Sequence, residues 1–248
     1  MRLENKTAIV TGAASGLGKA IVEKFLGEGS RVVIVDVNES AARDLSATLG
    51  SKTLAVKTDV GDTKSVENLK KVVFDNFDSV DVVVNNAGVT HLPTPLDEVT
   101  EEDFDRVFRV NCKSVYLMAK AFVPHMKNQG SGSILNIAST AGVSPRPNLN
   151  WYNSSKGWMN TATRTMAVEL APFGVRVNAV NPVASETPLL ASFLGEDTPE
   201  MRKKFLSTIP LGRFAQPEDI ANAACYLCSE EASMVTGVCM QVDGGRCI

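Results

Sequence analysis

The chain predicts an α/β doubly wound fold, a parallel seven-stranded sheet with helices on both faces, on three observations. Short runs rich in Val and Ile recur along its whole length. Amphipathic stretches of helical period separate them, and a glycine-rich turn follows the first run directly. Nearly continuous apolar runs suit strands buried on both faces, and strand–helix alternation builds parallel crossovers.

Taken in order, the first strand is expected at residues 7–10, with a helix at 16–26. The same unit repeats at 32–35 with 39–49, and at 53–56 with 64–77. A strand at 80–84 leads to one long helical pattern over 101–127, and a strand at 133–137 leads to another over 151–171, which Gly174 closes as a C-cap. A strand at 175–180, a helix at 217–227 and a strand at 238–242 complete the set. No linker, repeat or low-complexity tract intervenes, so residues 1–248 read as a single domain. Only 187–212 breaks the rhythm, with Leu189, Leu190, Phe193, Leu194, Met201, Phe205 and Ile209. It is either core packing, which the helical spacing favours, or a mobile cover over a substrate.

Composition excludes several classes. With a formal net charge of -3, the chain offers no electrostatic footprint for nucleic acid or an anionic membrane. No apolar run approaches the roughly 20 residues needed to span a bilayer. A strand starting at Thr7 leaves no room for a signal peptide, so the expectation is a soluble, cytoplasmic protein. Five dispersed cysteines do not make a disulfide framework. Cys225 and Cys228 form a C-x-x-C inside a helical pattern and read as packed thiols. His91 and His125, the only histidines, fit no zinc motif, so no metal site is expected.

Chemistry concentrates at Tyr152 and Lys156, four residues apart on a predicted helix and therefore on one face, with Ser139 thirteen positions earlier at the end of an apolar run. A free phenol titrates near about 10, too high for proton exchange at neutral pH. One positive charge about 5 Å away, at an effective dielectric of about 20, favours phenolate by roughly 3 kcal/mol. That is about two pKa units, enough to make tyrosine a general acid/base.

The turn after the first strand reads Thr11-Gly12-Ala13-Ala14-Ser15-Gly16-Leu17-Gly18. Glycines there permit a tight turn and close backbone approach to a pyrophosphate, with helix N–H groups facing the anion; a plain strand-to-helix turn is the alternative. Asp36 ends the second strand twenty residues beyond Gly16, where a carboxylate accepts hydrogen bonds from an adenosine ribose; a helix N-cap is the competing role. That carboxylate would repel a 2′-phosphate, and residues 13–15, Val37 and Asn38 supply no cation to offset it. NAD rather than NADP is therefore the expected cofactor.

Together these residues resemble the short-chain dehydrogenase/reductase family over the whole chain. The resemblance includes Asp59-Val60, Asn85-Asn86-Ala87-Gly88, Asn111, Ser139, Tyr152-x-x-x-Lys156 and the closing Val242-Asp243-Gly244-Gly245. It implies a Rossmann-like sheet of order 3-2-1-4-5-6-7 with the cofactor across the carboxyl ends of the strands. By position it gives Gly12, Ser15, Gly16, Leu17, Gly18, Asp36 and Val37 to the cofactor, Asp59 and Val60 to adenine, and Asn86, Ala87 and Gly88 to the ribose. Tyr152 becomes the proton donor or acceptor and Ser139 bonds the substrate oxygen. Lys156 holds the nicotinamide ribose and lowers the tyrosine pKa, while Asn111 holds a relay water. From the residues alone, Asn111 reads equally as a polar group satisfying backbone, and Ser139 as a turn residue. The family's Pro-Gly-x-Ile/Val-x-Thr, whose backbone binds the nicotinamide carboxamide, is here Pro182-Val183-Ala184-Ser185-Glu186-Thr187, which gives Pro182, Val183, Ser185 and Thr187 to the cofactor, with Val183 in place of glycine and Ser185 in place of the branched residue.

The expected activity is NAD(H)-dependent interconversion of a small apolar ketone and a secondary alcohol. The alternatives are a 3-oxoacyl thioester reductase, disfavoured by Asp36, and a non-catalytic NAD-binding regulator, disfavoured by four intact catalytic positions. Arg146, between two prolines near Tyr152, either meets an anionic substrate or is a solvated loop residue. The resemblance also makes 187–212 a substrate lid and the chain a homotetramer, with Val115, Met118, Phe122, Met159 and Met166 as apolar positions in excess of one sheet face.

Overall fold

Strands form where the apolar runs lie: β1 (Thr7–Thr11), β2 (Arg31–Asp36), β3 (Thr53–Lys57), β4 (Val82–Asn85), β5 (Gly132–Ile137), β6 (Val175–Pro182) and β7 (Cys239–Val242). This is a computed structural model describing residues 1–248. The strands pair in the order β3-β2-β1-β4-β5-β6-β7, and every pairing is parallel. The order reverses between β1 and β4, which opens a crevice at their carboxyl ends.

Nine α-helices accompany the sheet: α1 (Gly16–Gly27), α2 (Glu39–Leu49), α3 (Thr63–Asn76), α4 (Glu101–Phe108), α5 (Ser114–Gln129), α6 (Asn150–Leu170), α7 (Leu190–Leu194), α8 (Pro199–Leu206) and α9 (Pro217–Cys228). Side chains alternate across each strand, so the two faces carry separate cores. Ala8, Val10, Val32 and Ile34 pack with Ile21 and Phe25 of α1 and Ala224 of α9. Ile9, Val33 and Val35 pack with Leu69 of α3 and Met118 and Phe122 of α5. Cys225 and Cys228 are buried free thiols on α9, as their apolar setting implied. No helix is long and apolar enough to cross a membrane.

The structure adds three details. The long helix over 101–127 is interrupted by a π-helical turn, Arg109–Lys113, which carries Asn111. The 187–212 stretch contains α7 and α8, separated at Gly195, with Leu190, Leu194 and Ile209 in the core. Of the apolar positions counted on α5 and α6, Val115, Met118, Phe122 and Met159 are buried within this chain, while Met166 is half-buried and lines a groove with Tyr116 and Trp158. The sheet face is wide enough to absorb the buried four, and the outward aromatic residues are Tyr116 and Trp158.

A buried polar chain fixes α6 on the sheet. Asn85 Nδ2 at the end of β4 donates to Asn136 Oδ1 on β5 at 2.8 Å, and Asn136 Nδ2 donates to Thr163 Oγ1 on α6 at 2.8 Å. Thr163 Oγ1 in turn donates to Met159 O at 2.8 Å. Such a chain is worth most when every member is satisfied. Asn136→Ala removes its centre and leaves the buried Asn85 side chain with no partner, so it should cost about 2 kcal/mol. The urea midpoint should fall accordingly, whereas an unchanged midpoint would mean the chain does not hold α6.

Candidate active site

The carboxyl end of β1 is tied to that of β4 through one hydroxyl. Thr11 Oγ1 donates to Val84 O at 3.2 Å and accepts the N–H groups of Asn86 and Ala87, each at 3.0 Å. Asn86 Nδ2 returns bonds to Thr11 O at 2.8 Å and Gly12 O at 2.9 Å. Gly18 lies against this knot: a Cβ there would collide with Gly12 O and come 2.6 Å from Asn86 Nδ2. The N-cap of α1, Ser15, makes no side-chain capping bond, so the first-turn N–H groups have no cap from it.

Asp36 closes the same end of the cleft. Its carboxylate accepts Ala14 N–H and Asn38 N–H, each at 3.0 Å, one on each oxygen. A lone pair on each oxygen is left for a further donor. Asn38, not Asp36, caps α2, so the capping role does not apply to Asp36.

At the other end, Ser139 follows β5 in extended conformation, and its Oγ accepts Ala141 N–H at 3.0 Å. The short turn Thr140–Gly142 rests directly on the α6 backbone; a Cβ on Gly142 would come 2.6 Å from the Lys156 carbonyl carbon. That contact sets Ser139 beside Tyr152. Lys156 Nζ donates to Ile137 O at 2.8 Å and lies 5.9 Å from the Tyr152 ring centroid. Asn111 is wholly buried, accepting Val89 N–H at 2.8 Å and donating to Val89 O and Ser155 Oγ, each at 2.9 Å. Its amide therefore satisfies backbone outside its own helix. The position of a Cβ on Gly88 would be 3.3 Å from Lys156 Nζ and 3.5 Å from Asn111 Oδ1. Glycine at this point keeps the space between the two open.

The expected depression of the tyrosine by Lys156 is not present. Burial pushes the Tyr152 phenol up to about 12, opposed by Ser139 and then by the charge of Arg146. Burial also brings Lys156 down to about 8. Removal from water outweighs every opposing influence at both positions. The phenol is therefore held protonated at neutral pH.

One cleft of about 380 Å³ brings together Gly12, Ser15, Gly16, Leu17, Asp36, Asn86, Ala87, Gly88, Ser139, Tyr152, Lys156, Pro182, Val183, Ser185 and Thr187. Gly18, Val37, Asp59, Val60 and Asn111 do not line it. Val60 is buried in the core and Val37 is exposed. Asp59 pairs with Arg109 at 2.6 Å, a partner fifty residues away. Partial burial alone would raise this carboxyl, but hydrogen bonds from Arg109 and Gly61 N–H hold it below the usual range. Val183 is buried, and its N–H is spent on Val242 O at 3.2 Å. Sequence reasoning did not single out Phe205 as a cleft residue or Arg246 at all. Arg246 is the third residue from the end of the sequence, and nothing in its neighbours signals a site.

A doubly wound parallel sheet with a glycine turn, a strand-end acid and a buried Tyr–Lys pair in one cleft defines a dinucleotide-fold oxidoreductase. A family model described as enoyl-(acyl carrier protein) reductase matches residues 12–246. The 4-formylbenzenesulfonate dehydrogenase of Comamonas testosteroni is 46% identical over 250 residues, covering 99% of each chain. A 3-oxoacyl-[acyl-carrier-protein] reductase of Thermotoga maritima is 39% identical over 252 residues, covering 100% of each. The crystal structure of 3-ketoacyl-(acyl-carrier-protein) reductase from Brucella melitensis complexed with NADH superposes with a TM-score of 0.95 at 46% identity. It covers 99% of this chain and 100% of that one. The chain belongs to the short-chain dehydrogenase/reductase family.

Lys156 has a consequence for stability. Its value near 8 in the fold lies below the ordinary 10.5, so between these the folded chain binds fewer protons than the unfolded one. Stability therefore rises with pH across that window, and the full penalty applies below it. Lys156→Met should stabilise the fold at pH 7 by on the order of 2 kcal/mol after loss of the bond to Ile137 O. Urea unfolding at pH 7 and at pH 10.5 checks this; the gain should fade at the higher pH.

Proposed function

We propose that the protein is an NAD(H)-dependent oxidoreductase interconverting a ketone and a secondary alcohol. The observation that carries this reading is the Tyr152 phenol, buried, protonated and set beside Ser139 in the cleft that Asp36 and the glycine turn also line. The glycine floor and the spare lone pairs of Asp36 fit an adenosine ribose without a 2′-phosphate. Asn86, Gly88, Pro182 and Thr187 would flank the rest of the cofactor. Bound reduced nicotinamide supplies the hydride. Ser139 donates a hydrogen bond to the carbonyl oxygen, and Tyr152 gives that oxygen its proton as charge develops. The Ser139 hydroxyl favours the resulting phenolate, which burial otherwise disfavours, and Lys156 would hold the nicotinamide ribose. The open space at Gly88 between Lys156 and Asn111 suits a proton path back to the site.

The relatives named 3-oxoacyl reductases support a second reading, reduction of a carrier-bound 3-oxoacyl thioester. The relative named for 4-formylbenzenesulfonate supports a small carbonyl compound instead. Steady-state assays with NADH and NADPH test the main reading. NADH should be preferred, Asp36→Ala should narrow the preference, and Tyr152→Phe should lower kcat by roughly 10²–10⁴-fold with NADH affinity kept. Equal use of both cofactors, or a tenth or more of the activity retained without the hydroxyl, counts against it.

We also propose that 187–212 covers the substrate and that the face of α5 and α6 bearing Tyr116 and Trp158 meets a second copy of the chain. Support for a cover lies in Phe193, whose ring centroid is 5.1 Å from that of Tyr152. Leu190 and Leu194 of the same helix are buried core residues. Phe193→Ala should change relative kcat/KM among bulky ketones, whereas Leu194→Ala should chiefly cost stability, about 2–5 kcal/mol. Identical effects of the two on substrate preference would argue against this division.

A further inference from the structure

Two arginines reach the Tyr152 end of the cleft from distant parts of the sequence. Arg146 lies between Pro145 and Pro147 in the loop before α6, with its carbonyl held by Asn153 Nδ2 at 2.7 Å. Arg246 follows β7, where Asp243 accepts the N–H groups of Gly245 and Cys247, each at 2.9 Å. Both line the cleft, and their guanidinium carbons are 4.8 Å and 5.8 Å from the Phe205 ring centroid.

Neither guanidinium has a carboxylate within 4.0 Å, unlike Arg106, Arg109, Arg202 and Arg213. Asp243, the nearest acid in sequence to Arg246, spends both oxygens on backbone N–H groups. Burial, and next the like charge of Arg246, pull the Arg146 pKa down. Two cations partly withdrawn from water without a counter-charge are costly, and an incoming anion would relieve that cost. The cofactor end of the cleft is marked by Asp36, so this positive end is left to the substrate. Beside the reacting phenol, Phe193, Leu149 and Ala141 form an apolar patch with Tyr152.

Resting on the oxidoreductase reading above, we propose that Arg146 and Arg246 form an anion subsite, and that the substrate carries a carboxylate or sulfonate on an apolar body. Arginine forks suit both groups, and a charge-assisted pair is stronger than a neutral hydrogen bond. Phe205 offers an apolar ring within reach of both cations, against which the body of the substrate can pack.

The test compares 4-acetylbenzoate, 4-acetylbenzenesulfonate and the neutral methyl 4-acetylbenzoate as substrates with NADH. In the unaltered enzyme at least one anionic ketone should exceed the ester in kcat/KM by tenfold or more. Arg146→Gln and Arg246→Gln should each bring that ratio towards one, chiefly through KM, and Arg246→Lys should recover part of it. Whichever anion shows the larger ratio identifies the favoured headgroup. Calorimetric titration of benzoate and benzenesulfonate provides a readout independent of turnover. Saturable binding lost in both glutamine variants, with no ketone reduced, would keep the subsite and overturn the oxidoreductase reading. Equal turnover of ester and acids, with no binding heat and no effect of either substitution on the ratio, would overturn the subsite and leave the oxidoreductase reading standing.

Discussion

Everything at the reactive end of this molecule depends on a lysine ammonium buried against one carbonyl at the carboxyl end of β5. Lys156 Nζ donates to Ile137 O at 2.8 Å, where β5 stops. A cation in such a place is destabilising unless the surroundings hold it, and the surroundings here are held tightly. The Thr140–Gly142 turn rests on the α6 backbone at Lys156 itself, and the Asn85–Asn136–Thr163 chain fastens the same helix to two strands. The helix cannot slide to relieve the lysine without breaking satisfied buried bonds. Tyr152, one turn earlier, is therefore fixed as well.

The site is consequently divided by charge. At one end Asp36 is half-satisfied by backbone and presents negative charge; at the other, two guanidiniums present positive charge around Phe205. The buried phenol and ammonium lie in the low-dielectric stretch of the same cleft, where burial, not their mutual field, sets both pKa values. A ligand spanning the cleft would meet each of these environments in turn.

Much of this was legible in the sequence because parallel sheets bury both faces, which writes strands as unbroken apolar runs. The glycine turn, Asp36, Ser139, Tyr152 and Lys156 were legible for a related reason: each lies next to a strand end or on one helix face, so spacing alone brings them near one another. What spacing could not see were partners distant in sequence. Asp59, which the resemblance gives to adenine, pairs its carboxylate with Arg109, which no local pattern links to it. Arg246 enters the cleft only because β7 ends beside β6. Four of the five apolar residues of α5 and α6 counted towards an assembly face are core and only Met166 is half-buried, since sequence periodicity does not reveal how much sheet lies beneath a helix. The π-turn was equally hidden, because the apolar periodicity on either side of it continues without a glycine or proline to mark a break.

That turn, Arg109–Lys113, has a consequence of its own for how this sequence can change. A π-turn accommodates one residue more than an α-turn over the same rise, so α4 and α5 are out of phase with each other. Deleting a single residue within it would let the two helices merge into one regular helix. Everything upstream would then rotate by about 100° relative to α5, carrying Phe104 away from Trp151, whose rings now meet edge to face at 5.2 Å. Asn111 would lose its aim at Val89 and Ser155 in the same motion. Length at this point is therefore constrained more tightly than composition: many side chains could be exchanged along α4, but the count of residues could not.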